Sequence, residues 1–175
     1  MEKLKLIEPT MEYSCEIQNF RQEFLDCGDS LDGCGSLERF ERCEDWLEQV
    51  ERCKKWETVP KNWVPATQFI CVRESDGKVV GVIQVRHELS DYLRNYAGHI
   101  GYSVRPSERR KGYAAWMLQN VLPYCKSLGI RDVMVSCLAD NEGSRRTILR
   151  NGGVYDGTVR EPREDVLLEK YWIHI

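Results

Sequence analysis

Long apolar runs are missing from this chain of 175 residues. None approaches the roughly 20 residues of a membrane-crossing helix, so no membrane association is expected. The opening segment, Met1 to Pro9, lacks an apolar stretch with a small-residue cleavage site. A secretory leader is therefore not expected, and the cytoplasm is the expected compartment. Cysteine pairs at Cys-x-x-Cys spacing are also absent, although eight cysteines are present: Cys15, Cys27, Cys34, Cys43, Cys53, Cys71, Cys125 and Cys137. A structural zinc site thus has no support, and no metal is expected. Without a secretory context disulfides are not expected either, so most of these residues read as buried thiols. Cys71, between Ile70 and Val72, is an example. Repeats, low-complexity tracts and linkers are lacking. Residues 1–175 therefore read as one domain, long enough to bury roughly two-thirds of its surface. A surplus of positive charge is missing too: the net charge is −3. With no strip of interleaved aromatic and basic residues in view, a nucleic-acid partner is not expected.

What is present begins with an uneven spread of charge. Residues 1–63 carry 15 acidic and 9 basic side chains, a net of −6, and the remainder carry 13 acidic and 16 basic, a net of +3. Ordinary solvated helix faces account for this, and so do separate surfaces for a cation and an anion.

Residues 3–8 alternate apolar and polar and predict a short strand. Tyr13, Ile17, Phe20 and Phe24 recur every three or four residues and predict a helix over 11–27. The glycines and aspartates of 28–35 predict a loop. Ser36 is expected to cap a second helix bearing Leu37, Phe40, Trp46, Leu47 and Val50 on one side. After Pro65 the period becomes two. Strands over 68–73 and 79–87 flank Ser75-Asp76-Gly77-Lys78, a hairpin signature. The segment 88–98 reads as irregular or a short helix, and 99–104 as a strand. A helix follows over 114–128, then a doubly buried strand over 130–138. A short helix over 141–151 closes on Gly152-Gly153, and strands over 154–160 and 166–173 are expected to pair antiparallel. The order implies an α/β fold with a mixed sheet and a strand–helix–strand crossover at its centre.

The segment Gly101-Tyr102-Ser103-Val104-Arg105-Pro106-Ser107-Glu108-Arg109-Arg110-Lys111-Gly112-Tyr113-Ala114-Ala115 carries the chemistry. A strand runs into a basic loop that opens a helix through small residues. First-turn N–H groups have no intrahelical partner and, with the positive helix end, suit a phosphate. Cations at a helix N-terminus disfavour the helix alone, so their clustering makes sense with an anion bound. A solvated basic loop is the alternative. The spacing matches neither the Walker A pattern nor Gly-x-Gly-x-x-Gly.

Arg109-x-x-Gly112-x-Ala114 after that strand resembles the acetyl-CoA-binding motif, Gln/Arg-x-x-Gly-x-Gly/Ala, of the GNAT N-acetyltransferase superfamily. Asn141-Glu142-Gly143-Ser144 followed by Asn151-Gly152-Gly153 is similar to that family's second motif. The likeness covers residues 67–160 well and the N-terminal helices by order only. It implies a mixed, mostly antiparallel sheet of about six or seven strands with about four helices and a splayed central strand pair. It implies acetyl-CoA as co-substrate, held by Ser103, Val104, Arg109, Arg110, Lys111, Gly112, Tyr113, Ala114, Asn141 and Ser144. Asn141 reads equally well as a helix cap. The implied reaction is direct transfer of acetyl to a primary amine of a small molecule or peptide. Monomers and homodimers both occur in the family.

Such a reaction needs a neutral amine, hence a base, and an acid for the leaving thiolate. His99, His87 and Glu88 are candidate bases, histidine titrating in the useful range. Where many relatives carry a tyrosine acid, this chain has Ile148, which leaves Tyr155 or Tyr102 as candidates, or no acid at all. Trp46, Trp56 and Trp63 are candidates to line the acceptor pocket. A module that senses acyl-CoA without turnover is the competing reading. The acceptor itself stays open among polyamines, aminoglycosides, amino acids and protein amines.

Overall fold

The computed structural model describes residues 2–175. Seven strands form one sheet: β1 (Leu4–Ile7), β2 (Ala66–Arg73), β3 (Lys78–Arg86), β4 (Ile100–Val104), β5 (Asp132–Leu138), β6 (Val154–Glu161) and β7 (Val166–His174). Their spatial order is β1-β2-β3-β4-β5-β7-β6. Only β4 and β5 run parallel; every other neighbouring pair is antiparallel. Four α-helices cover the sheet: α1 (Ser14–Cys27), α2 (Cys43–Arg52), α3 (Tyr113–Ser127) and α4 (Glu142–Arg150). The mixed sheet and helix number expected from the sequence are those observed.

The helices form where apolar side chains recur at helical spacing. Ile17, Phe20 and Phe24 line the buried side of α1, which ends on Gly28 in the left-handed region. Cys43, Trp46 and Val50 do the same for α2. These residues pack with Ile70, Val72, Val79 and Val82 on one face of the sheet. On the other face, Met117, Leu118, Val121 and Cys125 of α3 and Ile148 of α4 pack with Ile83, Val85, Ile100, Val133 and Val135. Burying both faces removes enough apolar surface to offset the chain entropy lost on folding.

One expected helix start is corrected. Ser36 adopts a left-handed conformation and precedes only a 3-10 turn, Leu37–Arg39. The α-helix begins at Cys43, after an extended Arg42. A left-handed Ser36 cannot present the β-region geometry that an N-cap needs, so the apolar pattern from Leu37 onward spans two separate elements.

Six of the eight cysteines are buried, while Cys15 and Cys27 are exposed; all eight are free thiols. Burial pushes the thiols of Cys71 and Cys125 up to about 12, which keeps them protonated and inert. Among the described residues no helix is long and apolar enough to cross a membrane.

Candidate active site

The parallel pair β4–β5 holds together at one point. Ile100 pairs with Val135, and no pairing continues beyond it. Residues 99, 101, 103 and 105 face β3 across its ladder, with Arg86 N donating to His99 O and Arg105 N donating to Val80 O. By alternation, Tyr102 and Val104 turn their backbone groups toward β5, where no partner strand meets them. The strands part there, and a cleft of about 1010 Å³ opens.

One end of the cleft is built from the α3 N-terminus. Arg109, Arg110, Gly112, Tyr113, Ala114 and Ala115 line it. Gly112 caps α3 at φ +87° with no side-chain cap, and a Cβ there would meet nothing within 4 Å. The first-turn N–H groups are therefore left open at a positive helix end, as an anionic ligand requires. Arg110 also sits in the left-handed region, at φ +63°. Across the gap, Asn141, Ser144, Arg146, Thr147 and Arg150 of α4 and its cap complete this end. Asn141 Oδ1 accepts from Ser144 N at 3.0 Å, so it is the N-cap of α4 as well as a cleft residue. Asn151 Nδ2 donates to Ala115 O and Thr147 O and ties α4 to the start of α3.

The basic loop divides its labour in a way that spacing did not reveal. Lys111 does not line the cleft; its Nζ lies 2.6 Å from Glu108 Oε2. Arg73 and Lys78 also reach Glu108. Burial would raise this carboxyl, but hydrogen bonds from Lys111, Lys78 and Arg73 outweigh it and hold the group at about 2. Arg109 lines the cleft, pairs with Asp29 at 2.8 Å and lies over the Phe24 ring. Arg110 and Arg150 make no ion pair among the described residues. Arg110 is thus free to add charge to the cleft as expected, and Arg146 and Arg150 of α4 add positive charge that the sequence reading did not assign to the site.

The other end of the cleft is walled by the loop after α1, the turn before β4 and the β6–β7 connection. Asp32, Gly33, Arg86, Tyr92, Tyr96, Glu161 and Glu164 line it. The first wall is fastened to two strands: Ser103 Oγ of β4 donates to Asp32 O at 2.7 Å, and Gln68 Nε2 of β2 donates to Gly33 O. Glu161 is buried; it accepts from the Tyr92 hydroxyl and from the N–H groups of Arg163 and Glu164. The Arg163 guanidinium lies 4.1 Å from the centre of the Tyr92 ring. Sequence reasoning missed Arg86, Tyr92 and Glu161 because they are far apart in the chain and belong to no local motif.

The structure brings neither His99, His87 nor Tyr155 into the cleft lining. His99 is buried at the β4–β5 junction, where its Nδ1 accepts from Met134 N at 3.0 Å. Burial, then the nearby Arg94 and Arg86 charges, lower it to about 4, so it stays neutral. His87 Nε2 bonds Thr67 Oγ1, which also meets Tyr124 OH. Tyr155 is exposed and bonds Thr158. Tyr102 does line the cleft, its hydroxyl 2.7 Å from Ser144 Oγ, and burial pushes it above the ordinary phenol range. Glu88 accepts from Trp56, outside the cleft. Trp56 and Trp63 are exposed, and Trp46 is fully buried, donating to Cys34 O at 2.8 Å. Trp46 thus braces the loop that walls the cleft and does not itself line it. Ile148 is fully buried in the core with residues of α3 and does not line the cleft.

A family model described as the acetyltransferase (GNAT) family matches residues 37–152. The chain belongs to the GNAT acetyltransferase family. It is an N-acetyltransferase of that family, with acetyl-CoA as co-substrate, and the split strand pair beside an open helix N-terminus suits a long ligand with a phosphate end. No curated protein matches in sequence. Among solved structures, the microcin C7 self-immunity acetyltransferase MccE, in complex with acetyl-CoA and AMP, is 18% identical with a TM-score of 0.72, covering 100% of this chain and 94% of its own. The ribosomal-protein-S5-alanine acetyltransferase from Vibrio fischeri is 15% identical with a TM-score of 0.75, covering 99% of this chain and 94% of its own. The ribosomal L7/L12 α-N-protein acetyltransferase RimL, in complex with coenzyme A, is 17% identical with a TM-score of 0.71, covering 98% and 94%. At these identities the likeness is one of fold.

Proposed function

We propose that this GNAT protein acetylates a primary amine of a small molecule or peptide by direct attack, with donor and acceptor bound together. The observation that carries this reading is a single cleft with two unlike ends. One offers open amides and arginines for phosphates; the other offers carboxylates, tyrosines and Arg86 for an acceptor. Acetyl-CoA supplies an activated thioester carbonyl. The backbone groups of Tyr102 and Val104 hold its arm as a strand would, and the amides at Gly112–Ala115 hold its phosphates.

The amine nitrogen forms the new C–N bond while the C–S bond breaks and sulfur leaves with the electron pair. Glu161, a carboxylate facing the acceptor end, takes the ammonium proton, directly or through water. Burial raises the Tyr102 hydroxyl and its hydrogen bond to Ser144 occupies it, so it is not assigned the acid's part. Its role is to hold Ser144 and the cleft wall. A thiolate leaves without help, which fits the buried Ile148 at the position of the usual acid.

The fold relatives include two proteins named as acetylating ribosomal proteins, which makes a peptide α-amine a natural acceptor to try. Release of CoA thiol from acetyl-CoA over a panel of amines tests the reading. Acetylated product from at least one amine supports it. Tight acetyl-CoA binding with no turnover of any amine favours the acyl-CoA sensor instead, a reading that the absence of a cleft histidine keeps open.

A further inference from the structure

Arg86 stands at the last turn of β3, beside the point where β4 leaves β5. Val85 and Ile83 face the α3 side of the sheet, so Arg86 faces the side that the acceptor loop covers. Its Nη1 donates to Ala97 O at 3.3 Å and Gly98 O at 3.1 Å, which fixes the guanidinium in place. Nε and Nη2 make no hydrogen bond within the protein, and no carboxylate lies within 4 Å among the described residues. Burial lowers its pKa; Asp32 and the Tyr92 hydroxyl act on it only from a distance. Those free donors are not sealed off, so an oriented cation lines the cleft with N–H groups open to a ligand. A guanidinium fork matches a carboxylate.

In the same cleft lining, the Glu161 carboxyl is held by neutral donors alone, and no cation pairs with it among the described residues. Tyr92 lines the same end, and its hydroxyl bonds Glu161. The acceptor end thus sets one unpaired cation, Arg86, against the carboxylates of Glu161, Asp32 and Glu164.

We infer that the acceptor is an amino-carboxylate, its carboxylate seated on Arg86 and its amine turned toward Glu161. The inference rests on acetyl transfer as proposed above. A polyamine or aminoglycoside could pair with the carboxylates of this end but would leave the free donors of Arg86 without an acceptor. Free amino acids and peptides with an acidic side chain near the N-terminus share the required chemistry.

The test compares wild-type acetylation of matched pairs: free amino acids against their carboxamides, and N-terminal Asp or Glu peptides against their Asn or Gln counterparts. In one of the two series the acid should exceed its amide in kcat/KM by roughly ten-fold or more, the scale of a charged hydrogen-bonded contact. The series in which this happens names the source of the carboxylate. Arg86→Gln should bring the ratio to about one by raising the acceptor KM of the acid. The KM of acetyl-CoA should stay the same, a split that a general loss of structure would not give. Amides acetylated as well as acids in wild type would overturn the inference whether or not the variant folds, and would leave acetyl transfer intact. Acetyl-CoA binding without turnover of any member would overturn acetyl transfer itself, and the inference with it.

Discussion

Gly33 is where the loop after α1 meets β4, and replacing it with alanine tests how that wall is built. Its φ is +63°, and a Cβ would lie 2.0 Å from both C and O of Gly101 and 2.4 Å from Tyr102 N. All three are backbone atoms of a strand held by β3, so the loop must give way. Gly28 is the control: its φ is +66°, but a Cβ there meets nothing within 4 Å. Gly28→Ala should cost only the left-handed penalty, about 1–2 kcal/mol. Gly33→Ala adds the displaced bonds Ser103–Asp32 and Gln68–Gly33, about 1 kcal/mol each, for a total of about 3–4 kcal/mol. For a chain of this length the expected drops in Tm are roughly 3–6 °C for Gly28→Ala and roughly 7–14 °C for Gly33→Ala. Thermal unfolding followed by circular dichroism reads both, and calorimetric titration should show acetyl-CoA affinity little changed in either. Equal melting temperatures for the two variants would refute the argument that a backbone contact with β4 holds the wall.

Four further outcomes are expected. Gly112→Ala, which strains the φ +87° cap of α3, should weaken acetyl-CoA binding by about ten-fold, as measured by titration calorimetry. Glu161→Gln should lower kcat by roughly 10²-fold or more with acetyl-CoA KM unchanged; a kcat within a factor of two of wild type would remove Glu161 from proton transfer. His99 is held neutral, lowered to about 4, so the unfolded chain binds its proton first as the pH drops. Stability should therefore decline from about pH 6.5 toward pH 4, and His99→Gln should flatten that slope in urea titrations while leaving acetylation within about three-fold. Glu108, held at about 2 by three cations, contributes stability above the usual carboxylate range that is lost as pH falls through about 4.5 toward 2. Glu108→Gln should lower Tm at pH 7 and reduce this acid-side loss, and an unchanged acid limb would contradict it.

Much of this protein follows from its sequence. Period-two and period-three-to-four patterns place the hairpin, the crossover helix and the final strand pair, because burial on one face imposes those periods locally. The α3 end of the cleft was legible for the same reason: Arg109, Gly112, Ala114, Asn141 and Ser144, which line it, lie in two short segments whose backbone geometry is set by their own residues. Where reading failed, the deciding contacts were distant ones. Lys111 turns to Glu108, which Arg73 and Lys78 of another strand pair also reach, so its charge leaves the cleft. Ser36 is drawn into a left-handed turn, and the second helix starts seven residues later. His99 reads as a free base in sequence but spends its acceptor nitrogen on Met134, a strand away. The acceptor end, with Asp32, Arg86, Tyr92 and Glu161, draws on four separate segments, so no spacing could announce it. Local periodicity and cap chemistry are properties of neighbouring residues, and sequence carries them; charge pairing and burial depend on what the fold brings alongside, and only the tertiary structure decides them.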